Sequence, residues 1–357
     1  MRRGEHGNSA PQMTGRVCAQ LCLLLLLLAA SCARRVQASA INGVQGGGFQ
    51  DGHWEGPNHH FEIAESRKIE VGGAVLQVDF AAGKLDLPID VILHHVQAAA
   101  SAVTAYYGRF PVSRARVLVV PVADRHGMLQ GTTWGDMGGF QGFTRIRVGE
   151  HTTAADLADD WVMTHELVHM AFPSLPDDQH WMEEGLATYI EAIARHETGE
   201  LTAQRVWGDM VRDMPKGEPG AGDEGLDRTH TWGRTYWGGA LFCLSADVAI
   251  RRQTGNRKGL RDALRAIVAQ GGTIDHEWPL DRALDIGDRA TGTHVLTQQY
   301  AAWKDAPVQV DLPALWKELG IRATDDGADF VPDAPLAAVR EAIAGKATEP
   351  GQPLAAH

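Results

Sequence analysis

The run His165-Glu166-Leu167-Val168-His169 limits what this chain can fold into more than any other stretch, because its chemistry works only on a helix. Helical residues four apart share a face, so both imidazoles can turn a nitrogen toward one point, with Glu166 one residue round from His165. Two neutral imidazoles suit zinc. A carboxylate beside them that does not ligate can reach a water on the metal, as the general base does in H-E-x-x-H hydrolases. Pro173 and Pro176 then break the helix, and a second helical run opens at His180. A helix returning across so short a loop can bring a third ligand to the first pair, and a catalytic zinc takes three protein ligands and keeps one position open. Glu184 is the expected third, so that His165, His169 and Glu184 hold one zinc ion per chain. The competing reading makes the two histidines satisfied polar residues at the edge of a core helix, and Glu184 a solvated charge.

The second run continues Trp181-Met182-Glu183-Glu184-Gly185-Leu186-Ala187-Thr188-Tyr189-Ile190-Glu191. H-E-L-x-H followed by W-x-x-E-G-x-A-x-Y-x-E resembles the gluzincin metallopeptidases, and among them the aminopeptidase N and leukotriene hydrolase group. The match falls on Trp181, Glu184, Gly185, Ala187, Tyr189 and Glu191. The resemblance puts the ligand at Glu184 and leaves Glu183 without a role. Fourteen residues separate His169 from Glu184, against about eighteen in that group, which marks a divergent branch. It implies an α+β, two-lobed thermolysin-like zincin: an N-terminal mixed sheet with helices, a C-terminal helical lobe, and the metal between them.

The resemblance also implies further site residues. The group has a Y-x-x-G-A run whose tyrosine donates a hydrogen bond to the oxyanion, and Tyr236 matches that tyrosine. A packed aromatic at a helix start is the plainer reading, and His230 is a second candidate donor that no resemblance supports. The aminopeptidases carry G-x-M-E-N, whose glutamate binds the substrate's free amine. Here the chain reads Gly138-Gly139-Phe140-Gln141-Gly142. Gly139, Phe140 and Gln141 are therefore the expected substrate-binding residues, and the neutral Gln141 weakens the case for a strict aminopeptidase. A glycine loop with no substrate role is the alternative. The strand pattern at 143–148 resembles the group's substrate-binding edge strand, to which an extended peptide adds itself. The resemblance covers 134–242.

The remaining chain sets the context. Arg2, Arg3 and Arg16 precede an apolar run, 17–33, with six consecutive leucines, and small residues follow at Ala38 and Ala40. Residues 1–38 are read as an export signal, a transmembrane anchor being the alternative at the lower limit of length. Cys32 after Ala29-Ala30-Ser31 weakly resembles a bacterial lipoprotein cleavage site, so membrane attachment, if any, is expected through this segment alone. The leader carries five arginines against Glu5, so its removal takes the net charge from −12 to −16, a balance that argues against nucleic acid and anionic membrane surfaces as partners. It also removes Cys18, Cys22 and Cys32, leaving Cys243 without an intramolecular partner.

Residues 39–60 read as a Gly-rich spacer with surface histidines at 53, 59 and 60. Strands are expected at 63–71, 74–80 and 115–122, and helices at 89–107, 153–172 with Thr153 as N-cap, and from His180. His94 and His95, being adjacent, form no ligand pair. Gly220-x-Gly222-x-x-Gly225 matches a dinucleotide fingerprint, but no apolar strand leads into it and Asp223 and Glu224 would repel a pyrophosphate. Segment 215–225 is instead expected to be a mobile loop near the cleft. Amphipathic helices around 259–269, 280–284, 293–304, 313–319 and 335–344 complete a plan of sheet lobe 61–172, helical lobe 173–345 and tail 346–357.

The expectation is thus an exported zinc metallopeptidase, periplasmic or in the cell envelope, acting on peptides or proteins, with Glu166 as base and Tyr236 as oxyanion donor. A zinc hydrolase of a non-peptide substrate would use the same residues. An inactive binding protein of the same fold would have no need of Glu166.

Overall fold

The computed structural model describes residues 60–345; the leader, the spacer up to residue 59 and the tail from 346 lie outside the described residues. Strands β1 (Ile63–Val71) and β2 (Ala74–Ala81), helix α1 (Ile89–Tyr107), and strands β3 (Arg114–Val122), β4 (Met128–Met137) and β5 (Phe140–Gly149) follow in order. They form one five-stranded mixed sheet, β1-β2-β3-β5-β4, in which β2–β3 and β3–β5 run parallel and the two outer pairs antiparallel. Alternation sends Leu76, Val78 and Phe80, Val117 and Val119, and Ile146 and Val148 to one face. There they are buried with Ile92, Val96, Ala100 and Val103 of α1. Each such aliphatic side chain removed from water contributes about 1.5–3 kcal/mol against the entropy of folding. The other face carries Trp134 stacked on Phe143, with Arg145 over the Trp134 ring and Arg116 over Phe143.

Two expectations are corrected here. The strand at 143–148 is not the edge: β5 lies between β3 and β4, and the edge strand on that side is β4. The expected helix 153–172 is three pieces: α2 (Ala154–Ala158), α3 (Val162–Val168) and a 3₁₀ turn, His169–Ala171. Thr153 does cap α2, in a capping box with Asp156. The chain then restarts at Asp160, whose carboxylate accepts the N–H groups of Val162 (2.9 Å) and Met163 (3.2 Å) and pairs with His95 of α1 (2.7 Å). Asp160 thus supplies a second N-terminal cap, for the helix that carries His165 and runs on into the turn that begins with His169.

The remaining helices are α4 (His180–Glu197), α5 (Ala203–Asp213), α6 (Gly239–Thr254), α7 (Leu260–Ala269), α8 (Leu280–Thr291), α9 (Val295–Trp303), α10 (Leu312–Leu319) and α11 (Ala337–Ala344), with a hairpin of β6 (Ile321–Thr324) and β7 (Gly327–Phe330) before the last. A mixed sheet followed by a helical lobe is the architecture expected. Segment 215–225 is anchored at two points: Asp223 lies 2.7 Å from the buried Arg234 guanidinium, and Gly217 accepts from Arg234 Nη1. Among the described residues no helix is long and apolar enough to cross a membrane.

Candidate metal centre

Helix α4 is fixed by the residues of its own motif. Trp181 is buried and donates Nε1–H to Asp227 (2.8 Å), which also accepts from Tyr300 (2.7 Å). Two turns on, Tyr189 donates to Asp247 (3.0 Å). Gly185 lies against the backbone of Gly239, and a methyl group on either would strike the other helix. This glycine pair lets α6 approach α4 closely and brings the turn before α6, a single π-helical stretch Gly233–Gly238, beside Glu184. Such turns recur at functional sites.

His165, His169 and Glu184 converge. Glu184 Oε2 lies 3.0 Å from His165 Nε2 and 3.7 Å from His169 Nε2, and the three ligand atoms all fall within 4.8 Å of one another. Atoms that bind zinc tetrahedrally at about 2.0–2.2 Å stand roughly 3.4 Å apart, so this donor set fits zinc. Burial drives His169 down to about 3, leaving its ring neutral. At His165 burial works against the charge, yet Glu184, Glu166 and Glu191 outweigh it and hold the ring above its ordinary value. Burial likewise opposes the charge on Glu184, but His169, His165 and His180 keep it well below the usual carboxylate range. A cation bound here would have to replace the contact between His165 Nε2 and Glu184 Oε2.

Glu166 stands between this cluster and β4. Its Oε2 accepts from Thr133 (2.7 Å), whose hydroxyl is in turn bonded to Thr144 (2.8 Å). Gly131 leaves the space for the rest of the side chain, since a methyl there would collide with the Glu166 carboxylate. Burial raises the Glu166 carboxyl to about 7, within the range of a working base; a cation alongside would draw it down again. Tyr236 faces the cluster from the other side, its ring stacked on His165 (6.0 Å) and Trp232 (5.9 Å). Burial, then the charges of Glu184 and Glu166, keep its hydroxyl protonated well above its ordinary value. It is therefore a donor at neutral pH. His230 is exposed.

The structure thus brings together His165, His169, Glu184, Glu166 and Tyr236, but not Gly139, Phe140 and Gln141. Gly138 and Gly139, both at positive φ, turn the β4–β5 hairpin; Phe140 is buried under Arg114; Gln141 accepts from Ser113 (2.9 and 2.7 Å) and donates to Asp275 (2.9 Å). At about 3.3 Å per residue, that turn lies roughly 20 Å along the hairpin from Gly131. The places beside Glu166 belong to Gly131 and Thr133. Sequence reasoning also passed over His180, whose ring bonds Glu183 (3.0 Å) and Glu184 (3.1 Å). Its position four residues before Glu184 was the available signal.

No family model matches the chain, and no curated protein matches it. Among solved structures it is similar to the aminopeptidase N family protein of Idiomarina loihiensis, with a TM-score of 0.54 and 14% identity over 76% of this chain and 53% of that one. It is also similar to the M1 zinc metallopeptidase of Deinococcus radiodurans, with a TM-score of 0.44 and 18% identity over 71% of this chain and 53% of that one. A mutant of the latter bound to a Tyr-Ser-Ala substrate gives 0.44 and 18% over 70% and 53%. The chain spans about half the length of these proteins. At 14% identity the first likeness shows the fold alone, one shared with that aminopeptidase N family protein.

Proposed function

We propose that the protein is an exported zinc-dependent metallopeptidase, with residues 1–38 as its leader and the sheet lobe 61–172 and helical lobe 173–345 meeting at the metal. The observation that carries this reading is Glu166, a buried carboxylate held between the free edge of the sheet and the His165, His169, Glu184 cluster. A zinc ion held by those three residues would supply Lewis acidity to a water and to the scissile carbonyl. With Thr133 holding its Oε2, Glu166 accepts the proton of the attacking water and returns it to the leaving nitrogen. Tyr236 donates its hydroxyl proton in a hydrogen bond to the oxygen that becomes negative, a contribution of about 3 kcal/mol for one fixed donor. An extended substrate would add itself to β4 beside Gly131 and Thr133, held through main-chain hydrogen bonds.

The test is zinc content together with cleavage of a peptide library by the wild type and Glu166→Gln. One zinc per chain in both, with hydrolysis only in the wild type, is expected. Zinc without cleavage of any peptide would redirect the search to non-peptide bonds, and a Glu166→Gln variant as active as the wild type would refute the mechanism.

A further inference from the structure

Glu184 has two oxygens, and a metal site must determine which of them faces the ion. Oε2 points at the two ligand imidazoles, 3.0 Å from His165 and 3.7 Å from His169. Oε1 points at His180 Nε2, 3.1 Å away. The opposite nitrogen of the same ring, Nδ1, lies 3.0 Å from Glu183 Oε2, and Glu183 Oε1 accepts the N–H of Leu175 (3.4 Å) in the loop between α3 and α4. One ring nitrogen thus faces each carboxylate, Nδ1 hydrogen-bonded to Glu183 and Nε2 at ion-pair distance from Glu184, so the ring is held at both ends. The spacing makes this natural: His180 opens α4, and residues three and four further on lie on its face. The ring is half exposed, at 53%, whereas the two carboxylates it joins are 16% and 10% exposed. It therefore stands over the ligand on the solvent side. An exposed ion pair contributes little, but this one spans two largely buried carboxylates.

We infer that His180 is a positioning residue for the metal, a clamp that holds Glu184 by Oε1 and offers Oε2 alone to the ion, with Glu183 as its anchor. The inference rests on the reading of His165, His169 and Glu184 as a zinc site. It gives Glu183 a purpose, and it makes the coordination number a property of the residue four before the ligand. Without the clamp the carboxylate turns and can bind through both oxygens, at a site meant to keep one position open.

The experiment uses the full chain and two readouts that need no turnover. These are the zinc dissociation constant, by competition with a chromophoric chelator, and the visible spectrum of the cobalt-substituted protein, whose intensity falls as the coordination number rises. His180→Ala is expected to weaken zinc binding about 10- to 100-fold and to lower the cobalt bands. His180→Gln, which can still donate to Oε1, should recover most of both. Glu183→Gln keeps every ligand and only loosens the ring, so it should lie between; it decides the matter if His180→Ala does not fold by circular dichroism. Wild-type zinc affinity and cobalt spectrum in both His180→Ala and Glu183→Gln would overturn the clamp while leaving the zinc site intact. A wild type that takes up no zinc would overturn the site, and the clamp with it.

Discussion

Gly131→Ala measures how closely the sheet edge approaches the base. A methyl group at residue 131 runs into Cγ and Cδ of Glu166, and that side chain is buried with Oε2 already bonded to Thr133. The carboxylate must therefore move away from the strand. A displacement of about 1 Å in a reacting group costs on the order of 100-fold in rate, or about 2.7 kcal/mol of barrier. Glycine to alanine in a strand otherwise gains up to about 1 kcal/mol of stability, so folding should be almost unaffected. The three ligands lie on other elements and should keep their metal. Steady-state kinetics on a cleaved library peptide, elemental zinc analysis and a thermal melt read the three quantities separately. A variant with wild-type kcat and full zinc would refute the close approach of β4 to Glu166, and loss of zinc would show that the glycine serves the ligands instead.

Tyr236→Phe should lower kcat about 100- to 1000-fold with KM and zinc content little changed, measured on the same peptide; a change confined to KM would remove Tyr236 from the oxyanion. Glu184→Ala should abolish stoichiometric zinc while Glu183→Ala only weakens it, and equal losses by elemental analysis would undo the choice between them. Asp160→Ala removes the cap of α3 and the partner of His95, so denaturant unfolding should show about 2 kcal/mol of lost stability; an unchanged midpoint would mean that the helix needs no cap there.

The ligands were readable because their spacing is local: four residues on one helix and a motif on the next. The sheet edge was not. Gly131 and Gly135 look like loop residues, yet each marks a strand pressed against something distant in sequence, the Glu166 side chain in one case and the Ile274 carbonyl in the other. Alternation at 143–148 correctly gave a strand with one face outward, but alternation describes the faces of a sheet and says nothing of its in-plane neighbours, so edge and interior look alike. The split before α3 was missed because Thr153 and Asp156 form a genuine capping box and hid the second cap at Asp160. The resemblance at Gly138 to Gly142 matched glycines that serve a hairpin turn, where positive φ is the requirement.

The π-helical stretch that carries Tyr236 holds one residue more than an α-helical path between the same two points would need. Each α-helical residue turns the chain by roughly 100°, so deleting a single residue between 233 and 238 would let regular winding resume and swing the Tyr236 ring off its stack with His165. His165, His169 and Glu184 lie outside this stretch and would be left where they are. Tyr236 owes its place to one extra residue in the winding, so one deletion would withdraw it while leaving His165, His169 and Glu184 together.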